Sequence, residues 1–312
     1  MCSILRISNG DGRRRIIDSD GKLMSDAIGR QRLPAWFKVT LGSGESYRSV
    51  RKILVAHKLH TVCGSARCPN AGECWSSGTA TFMILGDICT RDCRFCAVKH
   101  GVPTSIDLSE PERLRKAAEA MNLSYVVVTS VTRDDLDDGG ASAFADTIRE
   151  LKTHISNVSV EILVPDFRGN QASIECVLKA EPDILNHNIE TVPSLYPVAR
   201  PQANYGRSLD LLQKAAACLG TERTKSGLMV GLGETREELK ELFHDLSSVG
   251  VGRLTIGQYL QPTRSHLPVK RYLSPQEFDD IRSEALEYGF VYVASGPLVR
   301  SSYHAAEQVG HA

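Results

Sequence analysis

The sequence predicts an α/β protein, a partial (β/α)6 TIM-like barrel with N-terminal and C-terminal extensions. Three observations carry that expectation. From Thr81 onward, short apolar runs alternate with longer amphipathic ones. The short runs are near-continuously apolar, as strands covered on both faces are. Six such strand–helix units follow one another, which implies a parallel sheet with helices outside it and an open barrel.

Taken in order, residues Met1 to about Asp26 are polar and carry Arg13, Arg14 and Arg15. They read as a flexible start with a solvated charge run. Asp11, Asp18 and Asp20 argue against a transit peptide, and no apolar core of signal-peptide length is present. RLPAWFKVTL (32–41) reads as an extended segment that docks on the body through Trp36 and Phe37. Residues 46–60 space Val50, Ile53, Leu54 and Leu59 as an amphipathic helix does. TFMILG (81–86), YVVVTS (125–130), VEILVPD (160–166), ILNHNIE (184–190), SGLMVG (226–231) and RLTIGQYL (253–260) read as strands. Helical patterns fill the intervals, the first opening at Ser109, Glu110 and Pro111 and the last at Ser274 and Pro275, as caps and first-turn prolines do. Val291 to Ala294 read as a final strand. The organisation expected is an N-terminal extension over 1–78, the barrel over 79–290 and a C-terminal extension over 291–312.

Lysine plus arginine equals aspartate plus glutamate, 37 against 37. No global charge therefore favours nucleic acid or a membrane surface, and no run of about 18 apolar residues exists to span a bilayer. Six of the nine cysteines fall between Cys63 and Cys96. In a chain of this length without a signal peptide they point to metal binding in a reducing compartment, with the cytoplasm as the default.

The chemistry concentrates in GDICTRDCRFCAV (86–98), where Cys89, Cys93 and Cys96 form C-x3-C-x2-C. An iron–sulfur cubane usually takes four thiolates, so three on one loop leave one iron open to another ligand. A structural zinc site is the competing reading, with His100 near enough to serve as its fourth ligand. A second triplet, C-x4-C-x5-C, is formed by Cys63, Cys68 and Cys74, with the turn formers Gly64, Pro69, Asn70 and Gly72 between them. Two triplets of different spacing favour two clusters. Polar residues then recur where successive strands end: Thr129, Ser130, Thr132, Arg133, Asp134 and Asp135; Pro165, Asp166 and Arg168; Asn186, His187, Asn188 and Glu190. In barrels of this kind that end carries the active site. Gly231, Gly233 and Glu234 form a glycine-rich turn that is neither G-x-G-x-x-G nor a Walker loop, a weak signal for phosphate. Arg300, Ser301, Ser302 and Tyr303 make a polar cluster near the C-terminus.

The C-x3-C-x2-C motif resembles the signature of the radical S-adenosylmethionine (SAM) superfamily. From about Leu33 to Ala305 the chain resembles the lipoyl synthase family. The residues that carry this are the paired triplets, CPNAGECW (68–75), VVTSVTRDDLDDGGA (127–141), HNIETVP (187–193), KSGLMVGLGE (225–234) and GPLVRSSYHA (296–305). The resemblance implies insertion of two sulfur atoms, at C6 and C8 of a protein-bound octanoyl-lysine, with two 4Fe–4S clusters and SAM as co-substrate. It implies that Cys89, Cys93 and Cys96 hold the catalytic cluster. Cys63, Cys68 and Cys74 would hold an auxiliary cluster that donates sulfur. Its fourth ligand would be a serine of the RSSY motif, Ser302 with Ser301 as runner-up.

For SAM the resemblance implies Phe95, Asn188 and Glu190, with Thr129 and Ser130 beside them. Phe95 and the glycine-rich turn would lie against the adenine. Arg133, Asp134 and Asp135 are candidates for holding substrate or SAM. The partners implied are octanoylated lipoyl carrier domains of 2-oxoacid dehydrogenases, the glycine-cleavage H protein, and an electron donor such as ferredoxin or flavodoxin, with no nucleic acid and no membrane. Cys2, Cys176 and Cys218 match no ligand of the family; the latter two read as core thiols on helix faces. A radical SAM enzyme whose second cluster only carries electrons, and a non-enzymatic metal-binding module, remain alternatives at this point.

Overall fold

Seven parallel strands set the architecture, and the chain visits them in spatial order. The structure, a computed structural model, describes residues 6–8, 14–16, 33–38 and 42–308. Contacts divide the chain into Met1–Phe37 and Lys38–Ala312. In the first unit β1 (Arg6–Ser8) and β2 (Arg14–Ile16) pair antiparallel. The rest of the stretch expected to be a flexible start, Cys2 included, lies outside the described residues. Trp36 and Phe37 do not sit in an extended segment. Pro34 starts a turn closed by the Phe37 N–H on the Pro34 carbonyl at 3.1 Å, as proline at a turn entry permits.

In the second unit, α1 spans Gly44–Ala56 and buries Val50 and Leu54. It stops short of the expected His60 because Lys58 takes a left-handed φ of 50°. His60–Thr61 instead form β3, antiparallel to β4 (Thr81–Ile84). Between them the second cysteine triplet, expected as turns alone, winds into two short helices, α2 (Val62–Ser65) and α3 (Ala71–Ser76). The Thr61 hydroxyl caps α2 by accepting from the Gly64 N–H at 3.2 Å. After β4, β5 (Ile88–Cys89) and β6 (Lys99–His100) pair with each other and bracket the first cysteine motif.

The repeating units follow: α4 (Glu110–Ala120), β7 (Tyr125–Ser130), α5 (Ala141–His154), β8 (Ser159–Leu163), α6 (Gln171–Leu178) and β9 (Ile184–Asn186). Then come α7 (Tyr196–Ala199), α8 (Tyr205–Leu219), β10 (Thr224–Val230), α9 (Arg236–Ser248), β11 (Arg253–Gln258), α10 (Pro275–Glu287), β12 (Tyr292–Gly296) and α11 (Ala305–Gln308). The sheet order is β12-β11-β10-β9-β8-β7-β4-β3. β3 and β12 form its two edges, so the barrel is open, as expected. β12 extends it by a seventh parallel strand through its ladder with β11.

Two apolar clusters bury the sheet's outer face, one joining β4, β7 and β8 to α4, α5 and α6, the other joining β10 and β11 to α9 and α10. Ser274 caps α10 in a reciprocal box with Glu277. Ser109 does not cap α4, because its hydroxyl is spent on Asp107 at 2.7 Å. Glu110 reaches instead to the Leu85 N–H at 2.7 Å, fixing the exit from β4. Cys176 packs against the first cluster, whereas Cys218 is exposed, so the core reading fails for that thiol. Among the described residues no helix is long and apolar enough to cross a membrane.

Within the sheet, Lys225 and Glu161 are each about 1% exposed and pair at 2.8 Å. The same carboxylate accepts from the Tyr125 hydroxyl at 2.7 Å and the Asn186 amide at 3.4 Å. Burial pushes the Lys225 ammonium down, and Glu161 opposes that shift. Removing one partner strands a buried charge. Lys225→Met should therefore cost about 3–5 kcal/mol in urea unfolding, and Glu161→Gln added to it should recover part of the loss. An unchanged midpoint for Lys225→Met would show that the pair does not support the barrel.

Candidate active site

A single cavity of about 490 Å³ collects the residues the sequence singled out. All six cysteines of the two triplets line it, with Phe95, Thr129, Ser130, His187, Asn188, Glu190, Ser301 and Ser302.

The loop from Cys89 to Val98 enters from β5 and is held from three sides. The Thr132 N–H, just beyond β7, donates to the Cys89 sulfur at 3.3 Å, and the Arg91 N–H to the same atom at 3.4 Å. The Arg94 N–H donates to the Ala199 carbonyl at 2.9 Å, and His266 Nε2 meets the Cys96 carbonyl at 2.9 Å. The Arg91 side chain is buried between two carboxylates, Asp134 (2.6 and 2.9 Å) and Asp166 (2.6 Å). Arg91 lies inside the motif, yet nothing in the spacing marks it as the anchor.

The second triplet faces the same cavity from α2, α3 and the turn between them. The segment between β12 and α11 folds back onto it. Asn70 Nδ2 donates to the Leu298 carbonyl at 2.7 Å, and the Tyr303 hydroxyl donates to Glu73 Oε1 at 2.8 Å. Ser302 Oγ accepts from the Thr81 hydroxyl at 2.8 Å, and Ser301 Oγ donates to Asn188 Oδ1 at 2.9 Å.

On the opposite wall, Asn188 Nδ2 donates to Glu190 Oε1 at 3.2 Å. Burial pushes the Glu190 carboxyl up, against the pull of Arg200. Arg200 is a residue the sequence reading missed, because it follows a short helix in no motif. Its Nη1 donates to the carbonyls of Asn188 (3.0 Å) and Ile189 (3.3 Å), while its buried Nε has no hydrogen-bond partner among the described residues. Ser130 Oγ is likewise buried without a hydrogen-bond partner among the described residues. The Thr129 hydroxyl is spent on the Leu163 carbonyl at 2.9 Å. His187 Nδ1 donates to the Val164 carbonyl at 2.8 Å, and Nε2 accepts from Ser208 at 2.9 Å. Burial pushes that ring down to about 4, so it is neutral.

Other strand-end residues serve the scaffold. Arg133 binds Asp135 with both Nε and Nη2 (2.9 and 2.8 Å), and Asp134 and Asp166 belong to Arg91. Asp134, Asp135 and Arg168 line a separate cleft of about 290 Å³, and Asn186 joins the Glu161 cluster. Gly231, Gly233 and Glu234 are not among the cavity's lining residues. The Glu234 carboxylate takes the N–H groups of Gly231, Leu232 and Gly233 (2.5, 2.9 and 3.0 Å), so these three donors are already spent and do not face a phosphate.

The donor sets fit iron–sulfur clusters. Burial pushes the Cys93 thiol up to about 11 and the Cys74 and Cys96 thiols up to about 12, and it raises Cys68. Such thiols stay protonated and inert unless iron displaces the proton. Among the described residues no three His, Cys, Asp or Glu groups converge on a single ion. Thiolates of a cubane bind different irons and need not converge. The unpartnered Ser130 Oγ and Arg200 Nε fit a polar ligand such as SAM, since buried polar atoms normally have partners.

The radical SAM superfamily model matches residues 83–246, and the model for the N-terminal domain of lipoyl synthase of that family matches residues 7–68. The lipoyl synthase of Rubrobacter xylanophilus is 54% identical over 280 residues, 90% of this chain and 87% of that protein. That of Idiomarina loihiensis is 56% identical over 277 residues, 88% and 86% of the two chains. Among solved structures, Streptococcus suis SuiB bound to S-adenosylmethionine matches with a TM-score of 0.53 and 12% identity over 69% of this chain and 49% of that one. The maturase HydG of FeFe-hydrogenase matches at 0.51 and 12% identity over 85% and 74%. These two likenesses show the fold alone. Relatives more than half identical over about nine tenths of its length establish that the chain belongs to the lipoyl synthase family of radical SAM enzymes.

Proposed function

We propose that the chain inserts sulfur at C6 and C8 of an octanoyl group amide-linked to a carrier lysine, consuming one SAM for each C–H bond broken. The observation that carries this reading is one cavity lined by both cysteine triplets, the C-terminal serines and an apolar wall. When bound, a cluster on Cys89, Cys93 and Cys96 supplies the electron that cleaves SAM, and an auxiliary 4Fe–4S cluster on Cys63, Cys68, Cys74 and Ser302 supplies the sulfur.

The chain's own residues have distinct tasks. Arg200 and Ser130 offer unpaired donors to the polar end of SAM, Glu190 and Asn188 stand beside them, Thr129 lines the floor, and Phe95 presents an aromatic face to the adenine. Met83, Val131, Leu163 and Met229 line the cavity and suit a saturated acyl chain, excluding water from unactivated C–H bonds. Ser302 offers a hard oxygen on a site otherwise made of soft thiolates, so an iron held there would be released more readily. Thr81 keeps that hydroxyl oriented. The carriers proposed are octanoylated lipoyl domains of 2-oxoacid dehydrogenases and the glycine-cleavage H protein. A ferredoxin or flavodoxin is proposed as reductant and the cytoplasm as compartment.

The test is a single turnover with anaerobically reconstituted enzyme, dithionite, SAM and an octanoyl-lysyl peptide. Mass spectrometry should find a monothiolated peptide and then lipoyl product, with about one cluster's iron and sulfide lost per product. 5′-Deoxyadenosine without thiolated peptide would overturn the substrate assignment. Product formed without sulfide loss would overturn the sulfur source.

Four variants divide the labour. Cys93→Ala should reduce SAM cleavage to background, whereas Cys68→Ala should cleave SAM and yield no lipoyl product; lipoyl product from Cys68→Ala would refute the donor assignment. Ser302→Cys should retain auxiliary iron more tightly and lower the lipoyl yield roughly tenfold, and a wild-type yield would argue against easy iron release. Arg200→Gln should weaken SAM binding about tenfold or more, the scale of one lost hydrogen bond to a charged group. Equilibrium binding with the cluster oxidised measures it, and an unchanged Kd would remove Arg200 from the SAM site.

A further inference from the structure

Two adjacent serines of the C-terminal segment face different partners. Ser302 meets Thr81 on β4, beside the second cysteine triplet. Ser301 meets Asn188, beyond β9, on the wall formed with Glu190 and Arg200. Asn188 is bonded at both ends of its side-chain amide and at its carbonyl: Oδ1 to Ser301, Nδ2 to Glu190, and its backbone carbonyl to Arg200. Turning the amide over would set its oxygen against Glu190 Oε1, while the Ser301 hydroxyl, which accepts as well as donates, would still pair with the amide nitrogen, so Glu190 sets which way the amide faces. Ser301 ties the other end of the amide to the C-terminal segment, so the position of the Asn188 side chain depends on Ser301 being in place.

The junction rests on Gly227 of β10. A Cβ there would lie 2.6 Å from Thr255 Oγ1, 2.8 Å from Asn188 Oδ1 and 3.0 Å from Ser301 Oγ. Glycine inside a strand weakens it and marks a close approach. Here the approach is that of three polar side chains from β11, from beyond β9 and from the C-terminal segment.

That segment is lightly held. Between β12 and α11 it has no regular secondary structure beyond turns. The bonds described above that fasten it to the second triplet, to β4 and to Asn188 each use a side chain: Asn70, Glu73 with Tyr303, Thr81 with Ser302, and Ser301. Elements held in this way are the first to open locally. A released and a seated state would differ in whether the Asn188 side chain is tied at both ends, to Ser301 and to Glu190.

We propose that Ser301 is a positioning residue which couples the seating of the C-terminal segment to the SAM wall through Asn188. SAM binds tightest when the segment is seated, and by reciprocity SAM holds the segment down. This rests on the reading of the cavity as the SAM site and of Ser302 as the auxiliary ligand.

The experiment uses the full-length protein reconstituted with both clusters and kept oxidised, so that SAM binds without turnover. Three quantities are read: the Kd for SAM, hydrogen exchange in the peptide spanning 298–304 with and without SAM, and auxiliary iron by counting and EPR. In the wild type, SAM should slow exchange in that peptide. Ser301→Ala should raise the Kd roughly two- to tenfold, the range of one net hydrogen bond, and reduce the SAM-dependent protection by a similar factor with iron unchanged. Ser301→Thr, which keeps the hydroxyl, should restore binding. Gly227→Ala, which crowds the junction without touching a ligand, should reproduce the Ser301→Ala result. A wild-type Kd in both Ser301→Ala and Gly227→Ala, or no effect of SAM on exchange in the wild type, would overturn the coupling. Loss of auxiliary iron or a changed EPR signal in Ser301→Ala would instead overturn the assignment of Ser302 as the ligand.

Discussion

The burial of Arg91 between Asp134 and Asp166 is the constraint on which the site depends. The loop from Cys89 to Val98 has little regular structure of its own, so its shape must be imposed. The guanidinium is 5% exposed and spends three hydrogen bonds on two carboxylates. A buried charge tolerates nothing less than full pairing, since removing one partner leaves the other desolvated and unpaired. Burial alone would raise the Asp166 carboxyl. Arg91 instead holds it below the usual carboxylate range, with the Arg168 N–H assisting. The loop is thereby fastened to the ends of β7 and β8, and that brings Cys89 under the Thr132 N–H. The cysteine spacing brings three sulfurs together on one loop, but the ion network decides where on the barrel they face.

The strand ends were the most legible part of the site in the sequence, and also the most misleading. Alternation of apolar runs and amphipathic stretches is a local property, and it located six strands and the face that carries the chemistry. The same logic grouped Thr129, Ser130, Arg133, Asp134, Asp135, Asn188 and Glu190 as equals, and the structure separates them. Arg133 and Asp135 are two residues apart and neutralise each other. Asp134 is claimed by a guanidinium 43 residues away in sequence. Periodicity cannot report such pairings, because they depend on which loops meet in space. Arg200 was missed for the same reason, since its significance lies in a buried Nε without a partner. The glycine-rich turn misled differently. Its donors face inward to Glu234, one to three residues away, and a motif string carries no direction.

The helix limits show how local sterics override pattern. The apolar spacing of α1 continues to Leu59, but Lys58 adopts a left-handed φ and the chain turns into β3. That early stop matters to the site. It makes β3 an antiparallel edge on β4 and starts the second cysteine triplet directly beside the first strand of the barrel. A helix running to His60 would remove the β3–β4 pairing that delivers Cys63 to the cavity.

The two triplets are supported in unequal ways, and the difference has a physical reading. The first is braced by buried ion pairs and by backbone bonds to α7 and to the loop after β11. The second sits on two helices of four and six residues and is closed by a segment held through side chains. One latch in that closure, Glu73, is half-exposed, and the Tyr303 and His304 bonds hold its carboxyl below the usual range. Stiff support suits a site that must return to one geometry after each SAM. A segment fastened by a few neutral or solvent-facing bonds can lift without breaking the barrel, as the proposed sulfur-donor site would require. Ser301 and Ser302 stand where these regimes meet, one bonded to Asn188 beyond β9 and the other to Thr81 on β4 beside the second triplet. The fold thus gives adjacent residues of one short segment two different partners, which is the ground on which two tasks are proposed for them.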